Sequence, residues 1–201
     1  MAGFNVDVKT EHGEPLLHVA VRYGCIEICN LLLKNGANLN ATNDFRDTAL
    51  IVAAGKTNVE ICKLLIAFKA SITSVSTEGR TALMEAARMK SYEVVKLLLE
   101  KGSNIGKKDE DGNTALHHAI PCSNQLLQLL LDNNADIDAV NNNGWTPLML
   151  ACDRANAENA LILAQKGAVF EIDGVSAWGY AADNVSEHLR RYGYTRLNCN
   201  K

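Results

Sequence analysis

Proline and aromatic residues are scarce in this chain of 201 residues, which has 3 prolines and is 5% aromatic. No proline- or serine-rich linker and no low-complexity tract separates one part of the chain from another. A basic excess is also missing, because the net charge is −3 at pH 7. Nucleic-acid-binding proteins normally carry a basic stripe. These absences predict one domain and argue against a nucleic-acid partner.

Long apolar runs are missing as well. No run reaches the roughly eighteen residues of a membrane span. The sequence also lacks a basic amphipathic segment of the kind that attaches proteins to a membrane surface. The start, Met-Ala-Gly-Phe-Asn, lacks the charged and apolar regions of a signal peptide. We therefore predict an intracellular, cytoplasmic protein without a membrane partner, with the nucleus as the alternative location.

The six cysteines do not form a metal-binding pattern. Cys25 and Cys29 are one helical turn apart, but no Cys-x-x-Cys and no histidine pair completes a site. Cys29 and Cys62 occupy the same position of a repeating pattern, which is typical of small buried hydrophobic residues. Free cysteines scattered through a core indicate a reducing compartment. We predict no bound metal.

Motifs for cofactors and catalysis are absent too. Gly55-Lys56-Thr57 is the only segment that suggests a phosphate loop, and the upstream glycine of that motif is missing. His118 and Glu85 could serve as an acid–base pair, but no serine, cysteine or third carboxylate is arranged around them. The prediction is a protein that is not an enzyme and has no catalytic residue and no cofactor.

A regular period dominates what is present. Leucines recur at almost constant intervals, at Leu17, Leu50, Leu83, Leu116 and Leu148. A second landmark keeps nearly the same period and occupies Gly3, Gly36, Lys69, Gly102, Asn134 and Gly167. Two independent landmarks with one period of about 33 residues indicate stacked repeats rather than one globular core.

Each repeat contains the signals for two short helices. A helix N-cap residue is expected at Thr48, Thr81, Thr114 and Thr146. The second helix has an apolar stripe with spacings of three and four residues, which is predicted to be buried by stacking. The stripe consists of Ile28, Leu31 and Leu32 in the first repeat and of Val94, Leu97 and Leu98 in the third. Such a face is buried only when neighbouring repeats stack.

The repeating unit resembles the ankyrin repeat over nearly the whole chain. The clearest copy runs Glu-Gly-Arg-Thr-Ala-Leu-Met-Glu-Ala-Ala over residues 78–87, and residues 111–119 and 144–151 repeat the pattern. The resemblance implies an all-α solenoid of stacked antiparallel helix pairs joined by β-hairpin loops. The implied single domain, 1–201, contains a partial repeat tail (1–10), repeats at 11–43, 44–76, 77–109, 110–141 and 142–173, and a degenerate capping repeat (174–201).

The resemblance leaves the origin of the first residues open. Residues 3–9 match the tail of a repeat and no helices precede them, as in a domain cut from a longer array. A natural half-repeat is the alternative. The resemblance also implies that His18 and His117 link adjacent hairpins by hydrogen bonds.

Three irregularities mark individual repeats. Arg46 and Lys69 stand where glycine is expected, which is unfavourable by up to about 1 kcal/mol each if φ stays positive. One residue is missing near 121–124, where a proline is expected to stop the helix. Asn159 stands at an apolar position, which predicts either a rotated helix or a side chain at an edge.

Ankyrin-like domains bind partners through hairpin tips and first helices, which form a concave face. Variable or chemically unusual residues on that face are the predicted protein-binding candidates: Tyr23, Phe45, Arg80, Glu85, Arg88, Met89, Asn113, His118, Trp145 and Arg154. Tyrosine, tryptophan and arginine are the commonest interface hot spots. The alternatives are packing of Trp145 on its neighbouring hairpin and ordinary surface ion pairs for the arginines.

The sequence thus predicts a monomeric, non-catalytic adaptor or scaffold module for a protein or peptide partner. The alternative is a regulatory or targeting ankyrin domain of a larger enzyme, channel or ubiquitin-ligase adaptor. Asn40 follows Leu32 by eight residues. This spacing is similar to that of asparagines hydroxylated in ankyrin hairpins, and an unmodified hairpin asparagine is the alternative.

Overall fold

The computed structural model describes residues 5–11, 13–120 and 124–195. The first part of the partial repeat, the predicted helix stop near position 121 and the cysteines at 122 and 199 lie outside these ranges. The chain divides into two compact units, residues 1–104 and residues 105–201. Both units are built from pairs of short helices, which confirms the predicted fold class.

The first unit contains three helix pairs. Its inner helices have seven residues each: α1 (Leu16–Arg22), α3 (Ala49–Gly55) and α5 (Ala82–Arg88). Its outer helices have nine residues each: α2 (Ile26–Lys34), α4 (Val59–Ala67) and α6 (Tyr92–Glu100). Inner helices pack on inner helices and outer helices on outer ones. A two-row stack of this kind is the expected repeat architecture.

The core of this unit lies between the two rows. Leu17, Leu50 and Leu83, which mark the period, are at most 2% exposed. Alanines such as Ala53 and Ala86 are fully buried and let the inner helices approach closely. Burying each leucine side chain contributes about 1.5–3 kcal/mol. The regular spacing of these leucines therefore reflects one core position per repeat.

The second unit begins with two further pairs, α7 (Ala115–Ala119) with α8 (Asn124–Asp132) and α9 (Pro147–Asp153) with α10 (Ala157–Gln165). A small hairpin follows, in which β1 (Glu171–Ile172) pairs antiparallel with β2 (Val175–Ser176). A short 3-10 turn and α11 (Asp183–Arg191) complete the unit. Val185 and Leu189 are buried while Glu187 and Arg190 face solvent, as expected of a polar cap.

Threonines begin the inner helices as predicted. The hydroxyls of Thr48, Thr81 and Thr146 accept the backbone N–H three residues later, at 3.5, 3.3 and 3.2 Å. Thr114 is also an N-cap residue, and its Oγ1 lies 2.9 Å from His117 Nδ1. The hydroxyls of Thr48, Thr81 and Thr146 thus each satisfy an N–H group that the first turn of a helix leaves unpaired.

The turns keep the backbone conformation of a glycine even where the glycine is missing. Gly36 has φ of 85°, and Arg46 and Lys69 have φ of 59° and 72°. Both residues therefore carry a side chain in the left-handed region, which favours glycine. The strain predicted for the second repeat is present in the structure.

Two expectations about the outer helices need correction. The apolar stripe of the first repeat is only partly buried: Leu32 is 3% exposed, whereas Ile28 is 47% and Leu31 is 61% exposed. Asn159 does not lie at an edge: it is fully buried, and its Nδ2 donates to Ile120 O at 2.5 Å. The amide supplies a partner for a backbone carbonyl just beyond the short helix α7.

Buried thiols occupy the core as small apolar groups. Cys29, Cys62 and Cys152 are at most 1% exposed. Burial raises the pKa of these thiols to about 11, 12 and 12, respectively. They are therefore protonated and weakly nucleophilic at neutral pH. Among the described residues, no helix is long and apolar enough to cross a membrane.

Candidate functional site

The hairpin turns between repeats are held by one recurring interaction. In each of these turns, a side-chain oxygen accepts hydrogen bonds from the backbone N–H groups two and four residues later. The second-repeat turn shows the geometry, with Asn43 Oδ1 at 3.0 Å from Phe45 N and 2.9 Å from Asp47 N. The same role falls to Ser76, Asp109 and Asn141. These turns fix the backbone of the tips without help from a partner.

Buried histidines join the hairpins to the inner helices. His18 Nε2 lies 2.8 Å from Asp47 O, and His117 Nε2 lies 3.1 Å from Trp145 O. The predicted bridging role of both residues is thus confirmed. Burial lowers the pKa of both imidazoles, although the carbonyl contacts act to raise it. Both side chains are therefore neutral structural ties at pH 7.

Neighbouring hairpin tips are also bonded to one another within each unit. Thr77 N donates to Phe45 O at 2.8 Å in the first unit, and Asn142 N donates to Asp111 O at 3.0 Å in the second. The tips accordingly form a row with a defined spacing. Side chains on that row, such as Phe45, are presented from a fixed backbone.

A groove of about 430 Å³ opens on the hairpin and inner-helix surface of the first unit. Ile51, Val52 and Gly55 of α3 line it. Gly55 is equivalent to Arg22 of α1 and Arg88 of α5, which stand one repeat away on either side and also line the groove. The missing side chain at position 55 thus leaves space between two arginines, and we call this feature the arginine groove.

One buried carboxylate organises one wall of the arginine groove. Glu85 Oε2 accepts from Arg88 Nη2 at 2.8 Å and Nε at 3.2 Å, and its Oε1 accepts from Arg80 Nη1 at 3.1 Å. Arg80 also pairs with Glu78. Burial acts to raise the pKa of Glu85, but the bonds and charges of Arg88 and Arg80 outweigh it and hold the pKa below its usual value.

The exposed candidates lie along the same surface of the first unit. Tyr23 is 77%, Phe45 67% and Met89 41% exposed. Tyr23 and Met89 are both C-cap residues of inner helices, as is Lys56 between them. These large side chains in three neighbouring repeats therefore lie outside the core and are accessible to solvent.

Candidates in the second unit are held more closely by their own neighbours. Trp145 is half-buried, and its ring centroid lies 4.8 Å from that of Tyr180. His118 Nε2 lies 2.7 Å from Asp109 Oδ2, whose side chain is 2% exposed. Asn113 Oδ1 accepts from Asn141 Nδ2 at 2.9 Å. Arg154, the C-cap residue of α9, is exposed.

Asn40 lies exposed in the hairpin after the first repeat. Its Oδ1 accepts from Ser71 N in the next repeat at 3.2 Å. Asp7 and Asp138 make equivalent bonds to Asn38 N and Val169 N, at 2.7 and 2.9 Å. A carboxamide or carboxylate at this position therefore links consecutive hairpins within each unit.

The structure gathers half of the predicted binding residues at one place: Phe45, Arg80, Glu85, Arg88 and Met89 line the arginine groove. Tyr23 lies next to Arg22 of the groove, while Asn113, His118, Trp145 and Arg154 belong to the second unit. Sequence reasoning missed the groove itself and the turn-forming residues at positions 43, 76, 109 and 141. The latter recur with the same period as the core leucines, so the period contained that signal.

Several titratable side chains at this surface pair with one another. In the described ranges, no three His, Cys, Asp or Glu side chains are grouped so that they could hold a metal ion. Glu85 is engaged by two guanidinium groups, and His118 is engaged by Asp109. What the surface offers is apolar area with cationic groups beside it.

A comparison with family models matches ankyrin repeats (3 copies) at residues 17–109 and 101–173. A search of curated proteins finds no match for the chain. The family match covers most of the chain, and the repeated helix pairs, threonine caps and histidine ties of the structure agree with it. The chain therefore belongs to the ankyrin repeat family.

Proposed function

We propose that this chain is a non-catalytic protein-interaction module that binds a protein or peptide through its hairpin and inner-helix surface. Ankyrin repeats are generally protein–protein interaction modules. The observation that carries the proposal is the row of hairpin tips fixed by Asn43 and its equivalents. A preorganised surface loses little entropy on binding, because its backbone is ordered beforehand.

Exposed anchors on that surface support the proposal. Tyr23 and Phe45 are the most exposed large hydrophobic residues in the described part of the chain, which is only 5% aromatic. Aromatic residues and arginine commonly provide most of the binding free energy at interfaces. The arginine groove adds a concave element beside these anchors, which suits a protruding side chain of a partner.

The state of the described thiols and histidines supports a non-catalytic role. The buried thiols have raised pKa values, and both buried histidines tie hairpins to helices. Catalysis would need a nucleophile within reach of a base and a site for the reacting atom. The predicted repeat boundaries, monomeric state and cytoplasmic location belong to the same proposal.

A comparative affinity purification tests this function. The wild-type chain, a Tyr23→Ala/Phe45→Ala variant and an Ile28→Ala/Leu31→Ala variant are used as baits, with captured proteins quantified by mass spectrometry. The last pair is a matched control, because it removes exposed apolar side chains from an outer helix. We expect at least one protein to be lost only with the first variant and to bind the purified wild-type chain by calorimetry. Identical captures for all three baits would contradict the proposal.

We propose hydroxylation of Asn40 as a modification of the same surface. Its exposure and its place eight residues after Leu32 support this assignment. Intact mass of protein purified from its native source should show one added oxygen, which Asn40→Ala should abolish. An unmodified mass would contradict the assignment.

A further inference from the structure

The accessible charges of the arginine groove are mainly positive. Arg22 and Arg88 have side chains that are 47% exposed, and Lys56 is also exposed. The carboxylates that pair with the two arginines are much less accessible, at 14% for Glu14 and 11% for Glu85. The groove therefore presents cations to solvent and keeps the matching anions inside.

The remaining lining charges do not reverse this balance. Asp47 is half-buried and contacts Asn43 Nδ2 at 3.4 Å. Glu78 is exposed but is paired with Arg80. Among the carboxylates that line the groove, Glu78 is thus the exposed one. Three cationic side chains that line the groove are exposed: Arg22, Lys56 and Arg88. The groove differs in sign from the chain as a whole, whose net charge is −3.

The guanidinium groups have donors to spare. Each has five N–H donors in a planar fork that matches a carboxylate. Glu85 engages Nε and Nη2 of Arg88, which leaves the Nη1 end able to receive a second carboxylate. Lys56, the C-cap residue of α3, adds an ammonium group in the second repeat, whereas Arg22 and Arg88 belong to the first and third repeats.

Apolar surface lies beside these cations. Phe45 and Met89 line the groove and are 67% and 41% exposed, and Val52 is half-buried on its floor. A ligand that only carried negative charge would leave this apolar area in contact with water. A segment with one acidic and one apolar side chain would satisfy both parts of the groove.

We propose that the arginine groove binds an acidic segment of a partner protein. An aspartate or glutamate carboxylate contacts Arg22, Lys56 and Arg88, and a neighbouring apolar side chain packs on Phe45 and Met89. The proposal rests on the function proposed above and names the chemistry of its partner. Specificity comes from the pairing of charge with apolar contact, and charge complementarity orients the segment during association.

The test begins with a random 12-residue peptide library displayed on phage and selected on the full chain. The enriched peptides are synthesised, and their Kd values are measured by fluorescence anisotropy. We expect enrichment of Asp or Glu next to an apolar residue, and binding that weakens as sodium chloride rises. Enrichment of basic or uncharged peptides would overturn the acidic assignment while leaving the binding module intact. No enrichment would overturn both proposals.

Matched variants locate the binding. Lys56→Glu should weaken binding of the enriched peptide at least tenfold, and Lys101→Glu should leave it unchanged. Lys101 is the matched control, because it is an exposed C-cap lysine of an outer helix, α6, and does not line the groove. Equal losses in the two variants would show that general charge attraction, and not the groove, binds the peptide, and would overturn the proposal.

Filling the groove gives a test that does not alter charge. A Cβ at Gly55 would lie 3.7 Å from Glu85 Oε2, an ordinary contact, so Gly55→Ala should fold and keep binding within about twofold. Gly55→Gln places an uncharged side chain three carbons long, with a terminal amide, in the groove and should weaken binding at least tenfold. Circular dichroism melts establish that both variants are folded. A folded Gly55→Gln variant with wild-type Kd would overturn the proposal.

Discussion

Leu98 and Leu31 lie on outer helices of the same unit but in opposite environments. Leu98 is fully buried, whereas Leu31 is 61% exposed. Leu98→Ala should therefore lower the free energy of unfolding by about 2–5 kcal/mol, because it removes a buried side chain and leaves a cavity. Leu31→Ala should change it by less than about 0.5 kcal/mol. Urea denaturation of both variants provides the measurement, and similar losses would contradict the described burial.

Lys69 is a residue at which the chain departs from its own pattern. With φ of 72°, its side chain stands in a conformation that favours glycine. Lys69→Gly should raise the free energy of unfolding by up to about 1 kcal/mol. Lys96→Gly, in the middle of α6, should lower it by about 0.5–1 kcal/mol. If both glycines destabilise the protein equally, the positive φ at Lys69 is not a source of strain.

At the scale of elements, a single imidazole connects α7 with the hairpin that follows it. His117 Nδ1 accepts a hydrogen bond from Thr114 N at 3.2 Å. Protonation of Nδ1 would place its N–H group against the N–H group of Thr114 and remove this bond. Burial lowers the His117 pKa below its usual value. Between the lowered pKa and about 6.5, the unfolded chain binds more protons than the folded one, and stability falls as pH falls.

This linkage gives a testable pH dependence. The wild-type melting temperature should fall as pH decreases from 7 to 5, and His117→Gln should show a shallower decrease. Differential scanning calorimetry in buffers of matched ionic strength makes the comparison. A steeper decrease in His117→Gln would contradict the neutral state inferred for the buried ring.

The helices themselves could be predicted because their signals repeat. Thr48, Thr81 and Thr146 cap helices in equivalent places, and one buried leucine follows each. Repetition turns weak local signals into a strong one, since independent copies agree on the period. The short α7 and the hairpin of β1 and β2 depart from the period. The sequence contains fewer repeated signals from which these two features could be predicted.

The groove and the role of Asn159 could not be predicted in the same way. Gly55 is one residue in a helical pattern, and its effect depends on Arg22 and Arg88 in neighbouring repeats. Asn159 breaks the apolar pattern, but its partner is a backbone carbonyl at Ile120, which the pattern does not identify. Such features depend on three-dimensional neighbours and not on the spacing of residue types.

At the scale of the whole molecule, stability should come from packing alone. The leucine and alanine cores are assembled without a metal cluster in the described parts of the chain. The melting temperature should therefore be the same in the presence and absence of EDTA, and metal analysis of the purified protein should find no stoichiometric zinc. A melting temperature that drops on chelation would show that a metal contributes to the fold.

Binding and stability should be separable over the molecule, because exposed anchors and buried contacts are different residues. Phe45 is 67% exposed on a turn fixed by Asn43, so Phe45→Ala should change the free energy of unfolding by less than about 0.5 kcal/mol. It should weaken binding of a validated partner by about 1–2 kcal/mol, roughly five- to thirtyfold in Kd. Trp145→Ala should lower stability by more, about 1–3 kcal/mol, because it removes the ring pair with Tyr180. Thermal melts and partner titrations on both variants distinguish the two roles. If Phe45→Ala destabilises the protein as much as Trp145→Ala does, the phenylalanine stabilises the fold and is not an anchor.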